Sequence, residues 1–176
     1  MSKKTTILVM SDTHGNNEII DYLINNIEHD YSVIAGDFET NDSFILNHIN
    51  YIVRGNNDWD SSFADDLDFE IDGIKFHLEH GHFTGNYFQL DNYEYMHKKL
   101  IKSKCDIFIH GHTHIPKIFE YEEGIVINPG STTFPRGGSN CSYAIITINE
   151  DNPKQIINVW KVKAWFIESN SCLFSR

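Results

Sequence analysis

The chain has 176 residues, a length that suits one domain with a substantial core. It carries 14 Lys and Arg against 25 Asp and Glu, a formal net charge of −11, and no basic cluster stands out. Because binding along a phosphate backbone requires a basic surface, a long nucleic-acid partner is not expected. The sequence lacks an apolar run of about 18 residues and the pattern of a signal peptide, which predicts a cytoplasmic protein without a membrane anchor.

The first third of the sequence alternates between apolar runs and segments with helical spacing. We expect strands at residues 5–11, 31–35 and 51–54 and helices at 17–27 and 42–48. Asn17 is the expected N-cap of the first helix. Such alternation is typical of an α/β fold with a parallel sheet covered by helices.

The rest of the sequence has the character of hairpins, interrupted by one helix. Asp72 and Gly73 form a two-residue turn signal between apolar segments. We expect strands at 67–71, 74–78, 107–109, 117–121, 125–128, 143–148 and 156–162, and a helix at 91–104. One domain is expected over residues 1–163, followed by a C-terminal tail, 164–176, that is expected to be mobile.

Side chains that bind metals recur just beyond the predicted strands. Each of these short motifs alone is ordinary turn chemistry. Together they fall in order at successive strand ends, the usual position of a site in an α/β sheet. They are Asp12, His14, Asp37, Asn56, His80, His112 and His114.

This set of ligand types indicates a particular class of metal. The mixture of imidazole and carboxylate suits Mn²⁺, Fe²⁺, Co²⁺, Ni²⁺ or Zn²⁺. It is large enough for two ions if one carboxylate bridges them. Two divalent ions, two aspartates and a bound hydroxide would leave a local charge of about +1. That surplus can hold a phosphodiester monoanion despite the acidic composition.

The ordered series DTH, GD, GNND, HGH and GHTH resembles the calcineurin-like metallophosphoesterases, whose pattern is DxH, GD, GN[H/C][D/E], a histidine and GHxH. With NPGS at residues 128–131, the chain resembles the small single-domain bacterial and archaeal phosphodiesterases of that family. The resemblance covers roughly residues 6–161. It implies a four-layer α/β/β/α sandwich with a dinuclear site at one edge.

The resemblance also implies a role for each motif residue. Asp12, His14 and His114 would hold the first ion, Asn56, His80 and His112 the second, and Asp37 would bridge them. Two ions, with Mn²⁺ as the expected metal, would generate a shared hydroxide for in-line attack on a small phosphodiester, such as one derived from a nucleotide. Asp37 and Asn56 are therefore also expected to take part in catalysis.

The chain departs from the family pattern at Asn57, where many members carry a histidine. An amide cannot give a proton to a leaving alkoxide, so turnover is expected to depend steeply on leaving-group acidity. His82 is a catalytic candidate as a substitute proton donor, with a supporting or plain surface role as the alternatives. Arg136, in the loop after NPGS, is a candidate phosphate contact, although a solvated loop arginine is the favoured interpretation.

Three alternatives stay open at this point. The chain could be a non-catalytic scaffold, since the retromer coat contains a subunit that resembles this family but has a degraded metal site. It could be a phosphomonoesterase with the same ions and a different pocket. The aromatic segment at residues 160–166 could pair subunits into a homo-oligomer, although an edge strand on the core is favoured.

Overall fold

The computed structural model describes residues 4–149. In chain order the elements are β1 (Lys4–Met10), α1 (Asn17–Asn26), β2 (Tyr31–Ala35), α2 (Asp42–His48), β3 (Tyr51–Val53), β4 (Asp66–Ile71), β5 (Ile74–Glu79), α3 (Tyr87–Leu90), α4 (Tyr93–Ser103), β6 (Ile107–Ile109), β7 (Lys117–Glu120), β8 (Ile125–Asn128) and β9 (Ala144–Asn149). No helix in this range has the length and apolarity that a membrane crossing requires.

The strands form two sheets. The first has the order β3-β2-β1-β9, with β1, β2 and β3 parallel and β9 antiparallel to β1. The second has the order β4-β5-β6-β8-β7, with β5, β6 and β8 parallel and antiparallel strands at both edges. The largest apolar cluster contains side chains from both sheets and fills the space between them.

The side chains of β1 point alternately to the two faces of its sheet and so pack in two different layers. Ile7 and Val9 point into the core between the sheets, while Leu8 and Met10 pack on the opposite face with the apolar side chains of α1 and α2. A third cluster joins α3 and α4 to the outer face of the second sheet. The layers are therefore helix, sheet, sheet, helix, which confirms the expected α/β/β/α sandwich.

Most predicted elements are present, with local differences. Asn16 rather than Asn17 caps α1, because Asn16 Oδ1 accepts from the backbone N–H of Ile19 (3.2 Å) while the Asn17 amide donates to Thr40 Oγ1 (3.0 Å). The four-residue helix α3 was not expected from the sequence.

The last third of the described chain is less hairpin-like than the sequence indicates. β7 and β8 do pair as a hairpin, but β8 also pairs in parallel with β6, and β9 crosses to the other sheet and pairs with β1. The predicted strand at 156–162, the aromatic segment at 160–166, the domain boundary at 163 and the tail lie outside the described residues and stay predictions.

The core between the sheets can be tested at one pair of isoleucines. Ile127 in β8 is fully buried, and its cross-strand neighbour Ile118 in β7 is 37% exposed. Ile127→Ala should lower the free energy of unfolding by about 2–5 kcal/mol, because it leaves a cavity between the sheets. Ile118→Ala removes the same atoms and should cost less than about 1 kcal/mol. Urea unfolding measures both, and equal losses would contradict this placement of the core.

Candidate metal centre

The predicted metal-binding side chains converge where the loops after five strands meet. In the first group, His114 Nε2 lies 3.1 Å from Asp12 Oδ1 and 3.1 Å from His14 Nε2. These three residues offer ligand atoms that all lie within 4.8 Å of one another. Loops after β1 and β6, which belong to different sheets, thus supply one group.

The second group is centred on His80, which is fully buried. Its Nε2 lies 3.1 Å from Asn56 Oδ1, 3.2 Å from His112 Nδ1 and 3.4 Å from Asp37 Oδ2. Two carboxylates connect the groups. A carboxylate oxygen of Asp37 lies within 4.8 Å of a ring nitrogen of His14, and Asp12 Oδ1 is 3.9 Å from His80 Nε2. All seven predicted ligand residues therefore belong to one continuous cluster.

Hydrogen bonds behind the imidazoles fix which nitrogen faces the centre. The Nδ1–H groups of His14, His80 and His114 donate to the Glu39 carboxylate (2.5 Å), the Ala35 carbonyl (2.7 Å) and the Phe134 carbonyl (2.6 Å). Each ring then presents Nε2 inward. Partners of this kind orient metal-binding histidines and raise their basicity.

The cluster fits a cation on its own chemistry. Asp12 Oδ1 is buried and has no hydrogen-bond partner within residues 4–149, although imidazole nitrogens surround it. The facing Nε2 atoms of His14 and His114 both carry lone pairs when their Nδ1 atoms are the donors. Buried lone pairs and carboxylates that face one another are costly unless a positive charge lies between them. The nitrogen and oxygen donors suit a transition-metal ion.

The pKa values show the same demand for positive charge. Burial alone would lower the pKa of His80, but its hydrogen bond to Asp37 and the charges of Asp12 and Asp37 raise that pKa to about 9. Burial would raise the pKa of Asp37, yet its hydrogen bond to His80 and the charge there lower it to about 2. The pKa of His112 falls to about 4, through burial and then the charge on His80. The shifts at His80 and Asp37 both follow from the close approach of an imidazole to carboxylates.

Unusual backbone conformations are concentrated at this centre. Five of the seven residues have φ between 44° and 70°, a region that non-glycine residues seldom adopt. They are Asp12, His14, Asp37, His112 and His114. Tertiary contacts must hold these conformations, and the backbone bonds from Asp12 N to Gly36 O (3.0 Å) and from His14 N to Asp37 O (2.9 Å) are two of them.

Two glycines in the motifs are required by close approach. A Cβ at Gly55 would lie 2.1 Å from Asp37 Oδ1, and a Cβ at Gly111 would lie 1.9 Å from Ser11 Oγ. Only glycine allows the loops after β3 and β6 to come this close to the aspartate-bearing loops. Steric limits therefore explain why the GN and GH motifs each begin with glycine.

Supporting residues around the centre were quoted in the sequence motifs, but their roles were not predicted. Asp58 accepts from the backbone N–H groups of Glu39 (2.7 Å) and Gly55 (2.7 Å), which ties the loops after β2 and β3 together. From the NPGS segment, Asn128 donates to the Gly111 carbonyl (3.0 Å) and Ser131 donates to the Asp12 carbonyl (2.7 Å). These bonds hold the two halves of the first group.

The structure also places the two residues that bear on proton transfer. Asn57 donates from its backbone N–H to Asp37 Oδ1 (2.9 Å) and from its amide to Asp37 Oδ2 (2.8 Å). The half-buried ring of His82 lies 5.5 Å from the His80 ring and 6.2 Å from the His112 ring, centroid to centroid. Burial and the charge on His80 lower the pKa of His82. His82 thus lies beside the centre without belonging to the ligand cluster.

A sequence model of the calcineurin-like phosphoesterase superfamily domain matches residues 6–151. The chain belongs to this superfamily. A probable metallophosphoesterase from Mycoplasma genitalium is 33% identical over 147 residues, which cover 82% of this chain and 88% of that protein. This agreement extends over both sheets of the phosphoesterase fold.

Solved structures agree with the phosphoesterase assignment. A conserved protein of Streptococcus pneumoniae, described as a predicted phosphoesterase, matches with a TM-score of 0.73 and 30% identity over 83% of this chain and 84% of that one. Vps29 of Entamoeba histolytica, solved in complex with Zn²⁺, matches with a TM-score of 0.67 over 83% and 87%. At 20% identity the second match shows likeness of fold alone.

The Glu39–His14 contact gives a test of how this phosphoesterase holds its metal. Glu39→Ala should weaken Mn²⁺ binding about 10–100-fold, because the His14 ring loses the partner that orients it. Glu123→Ala is the matched control, since Glu123 forms a similar contact with His97 (2.8 Å) outside the cluster. Titration calorimetry measures both affinities. Equal affinities in the two variants would contradict the role of Glu39.

Proposed function

We propose that this phosphoesterase is a metal-dependent phosphodiesterase that hydrolyses a small phosphodiester in the cytoplasm, by in-line attack of a hydroxide that bridges two metal ions. The observation that carries the proposal is the position of Asp37, within reach of His14 on one side and His80 on the other. A carboxylate between two groups of nitrogen ligands is what a bridged pair of ions requires. Family membership supports the phosphoesterase chemistry.

The proposed ligand assignment follows the two groups. Asp12, His14 and His114 would hold one ion, Asn56, His80 and His112 would hold the other, and Asp37 would be shared between them. Mn²⁺ is the proposed metal, with Fe²⁺, Co²⁺, Ni²⁺ and Zn²⁺ as alternatives that the same donors accept. When bound, such a pair lowers the pKa of a water molecule and offsets the charge that develops on the phosphoryl oxygens.

The residues of the chain prepare this chemistry. Two hydrogen bonds from Asn57 orient the Asp37 carboxylate, so that its remaining lone pairs face the imidazoles. The three Nδ1–H bonds keep His14, His80 and His114 turned inward. His82, which is half-buried beside the His80 and His112 rings, is the proposed substitute proton donor, because it lies where it can exchange a proton with a group near the centre.

The charge of the centre favours a diester over a monoester. Two divalent ions with two aspartates and a hydroxide leave about +1, which balances a diester monoanion. A monoester dianion would leave a net negative charge in a chain that is already acidic. Comparing rates on 4-nitrophenyl phosphate and bis(4-nitrophenyl) phosphate tests this preference directly.

A non-catalytic scaffold is the second candidate, as the resemblance to the family leaves open, and a protein named for vacuolar protein sorting, Vps29, has the same fold. The acceptor-rich cluster argues against a scaffold, because a scaffold has no need for seven metal-ligand residues gathered at one place. The two candidates differ in turnover, which the following experiment measures.

Hydrolysis of bis(4-nitrophenyl) phosphate should require an added divalent cation and stop with a chelator. Asp37→Asn should reduce the rate at least about 100-fold, because a neutral amide cannot bridge two cations or keep the same charge balance. Asp21→Asn is the matched control, since Asp21 pairs with His48 (2.8 Å) between α1 and α2. Release of 4-nitrophenolate measures the rates. Bound metal with no turnover by the wild-type protein would favour the scaffold.

The residue at position 57 predicts how the rate responds to the leaving group. Because the Asn57 amide is bonded to Asp37 and cannot supply a proton, aryl diesters with acidic leaving groups should react much faster than alkyl diesters. Asn57→His should flatten this dependence by restoring a proton donor. Rates on a graded series of aryl and alkyl diesters measure the slope. A flat series in the wild-type protein would contradict the prediction.

A further inference from the structure

A cavity of about 260 Å³ lies directly beside the candidate metal centre. Tyr87 and Phe88 of α3 form one wall, Thr113 and Ile115 of the loop after β6 form another, and Arg136 lies at its edge. This volume is below the roughly 300–1,000 Å³ of pockets that enclose a whole drug-sized ligand. The cavity suits one ring system of a larger molecule.

The same loop carries the metal-binding histidines and the cavity wall. Thr113 lies in the chain between His112 and His114, and the Tyr87 ring is 4.9 Å from the His112 ring, centroid to centroid. The backbone N–H of Arg136 donates to the His114 carbonyl (3.1 Å). A molecule whose phosphate lies at the metal centre can therefore extend past the His112 ring into this cavity.

The walls of the cavity are chemically specific. The Arg136 guanidinium lies over the Tyr87 ring, 5.5 Å from its centroid, and donates from Nη1 to Tyr87 Oη (3.0 Å). The side chains of Phe88 and Tyr87 are 89% and 48% exposed. Aromatic faces left open to water beside a planar cation are the surface on which a base or another flat ring stacks.

The charges near the cavity do not favour a second phosphate site. Asp91, on the cavity wall, forms an ion pair with Lys117, so its carboxylate is already neutralised. Arg136 forms no ion pair within residues 4–149, and its guanidinium is directed to the Tyr87 hydroxyl instead. With Nη1 bonded to the Tyr87 hydroxyl, the planar guanidinium lies among aromatic walls, where it can stack on a flat ring.

We propose that this cavity binds the nucleobase, or another planar aromatic ring, of the phosphodiester whose phosphate lies at the metal centre. Tyr87 and Phe88 supply the aromatic surface, and the Arg136 guanidinium, which lies over the Tyr87 ring, adds a planar cation beside it. This inference rests on the proposed function and extends it, because it makes these two residues determinants of substrate specificity. It changes Arg136 from a solvated loop residue to part of the substrate site.

The test compares two ligands that differ only in the base. Adenosine 5′-monophosphate and ribose 5-phosphate are titrated by calorimetry into the Mn²⁺-loaded full chain. The wild-type protein should bind the adenosine compound about tenfold more tightly, a ratio in the range of base stacking on one aromatic side chain. Ribose 5-phosphate reports contacts at the metal centre and serves as the internal reference.

Variants of the cavity residues test whether the cavity causes the preference for adenosine 5′-monophosphate over ribose 5-phosphate. Tyr87→Ala should reduce the ratio to about 1 with little change in ribose 5-phosphate affinity, while Tyr87→Phe should keep the ratio because the ring remains. Tyr22→Ala is the matched control, since Tyr22 is 55% exposed on α1, in the other helical layer. Arg136→Lys should lower the ratio about threefold, because an ammonium keeps the charge but not the plane.

The outcomes separate this inference from the proposed function. A wild-type ratio near 1, or a ratio that Tyr87→Ala leaves unchanged, would overturn the subsite, whatever the rate on bis(4-nitrophenyl) phosphate. The wild-type protein could instead show a tenfold ratio that Tyr87→Ala abolishes, yet fail to hydrolyse the diester. That result would retain the subsite and reject the phosphodiesterase function. Circular dichroism and urea unfolding identify any variant that fails to fold, in which case Tyr87→Leu replaces Tyr87→Ala.

Discussion

The main constraint on the structure is the mutual repulsion of electron-rich atoms at the centre where the loops from its two sheets meet. Asp12 and Asp37 bring carboxylate charge, and His14, His80 and His114 point their Nε2 atoms at the same small volume. In a buried site such an arrangement is unfavourable without a counter-charge. Burial alone would lower the pKa of His80, and the hydrogen bond to Asp37 with the charges of Asp12 and Asp37 raises it, which shows how strongly this volume favours positive charge.

Much of the surrounding architecture can be understood as the means of holding those atoms together. Left-handed backbone conformations, glycines at close approaches and the hydrogen bonds of Asp58 and Asn128 all oppose the tendency of the ligand loops to move apart. Each such feature is costly or restrictive alone. They occur together here because the two sheets provide a rigid core behind them. Local strain at the centre is thus offset by ordinary apolar packing elsewhere.

The sequence predicted the parts of the molecule that depend on local pattern. Apolar runs located the strands of both sheets, and the order of polar side chains at strand ends located the cluster that the structure brings together. Sequence could not indicate that β9 pairs with β1, because strand partners over 130 residues apart depend on the whole fold. The layer order came from the resemblance and not from periodicity. Helix α3 was missed since four residues are too few to show a period.

The site itself was predictable by residue type but not by geometry. Alternation and spacing cannot show that Glu39 or the Phe134 carbonyl orients an imidazole, because each contact joins segments that are distant in the chain. The contact between Tyr87 and Arg136, 49 positions apart, has no local signal either. Arg136 is exposed, as the favoured interpretation of a loop arginine expects, and its sequence surroundings could not show that its guanidinium lies over the Tyr87 ring.

The donors of the centre are divided between the two halves of the sandwich. Asp12, His14, Asp37 and Asn56 follow strands of one sheet, and His80, His112 and His114 follow strands of the other. A bound ion would therefore act as a crosslink between layers that are otherwise joined by apolar packing and hydrogen bonds. Ligand binding of this kind adds to folding stability, by about 2.7 kcal/mol at a hundredfold excess over the dissociation constant. Cellular metal supply would then govern the heat resistance and lifetime of the protein as well as its chemistry.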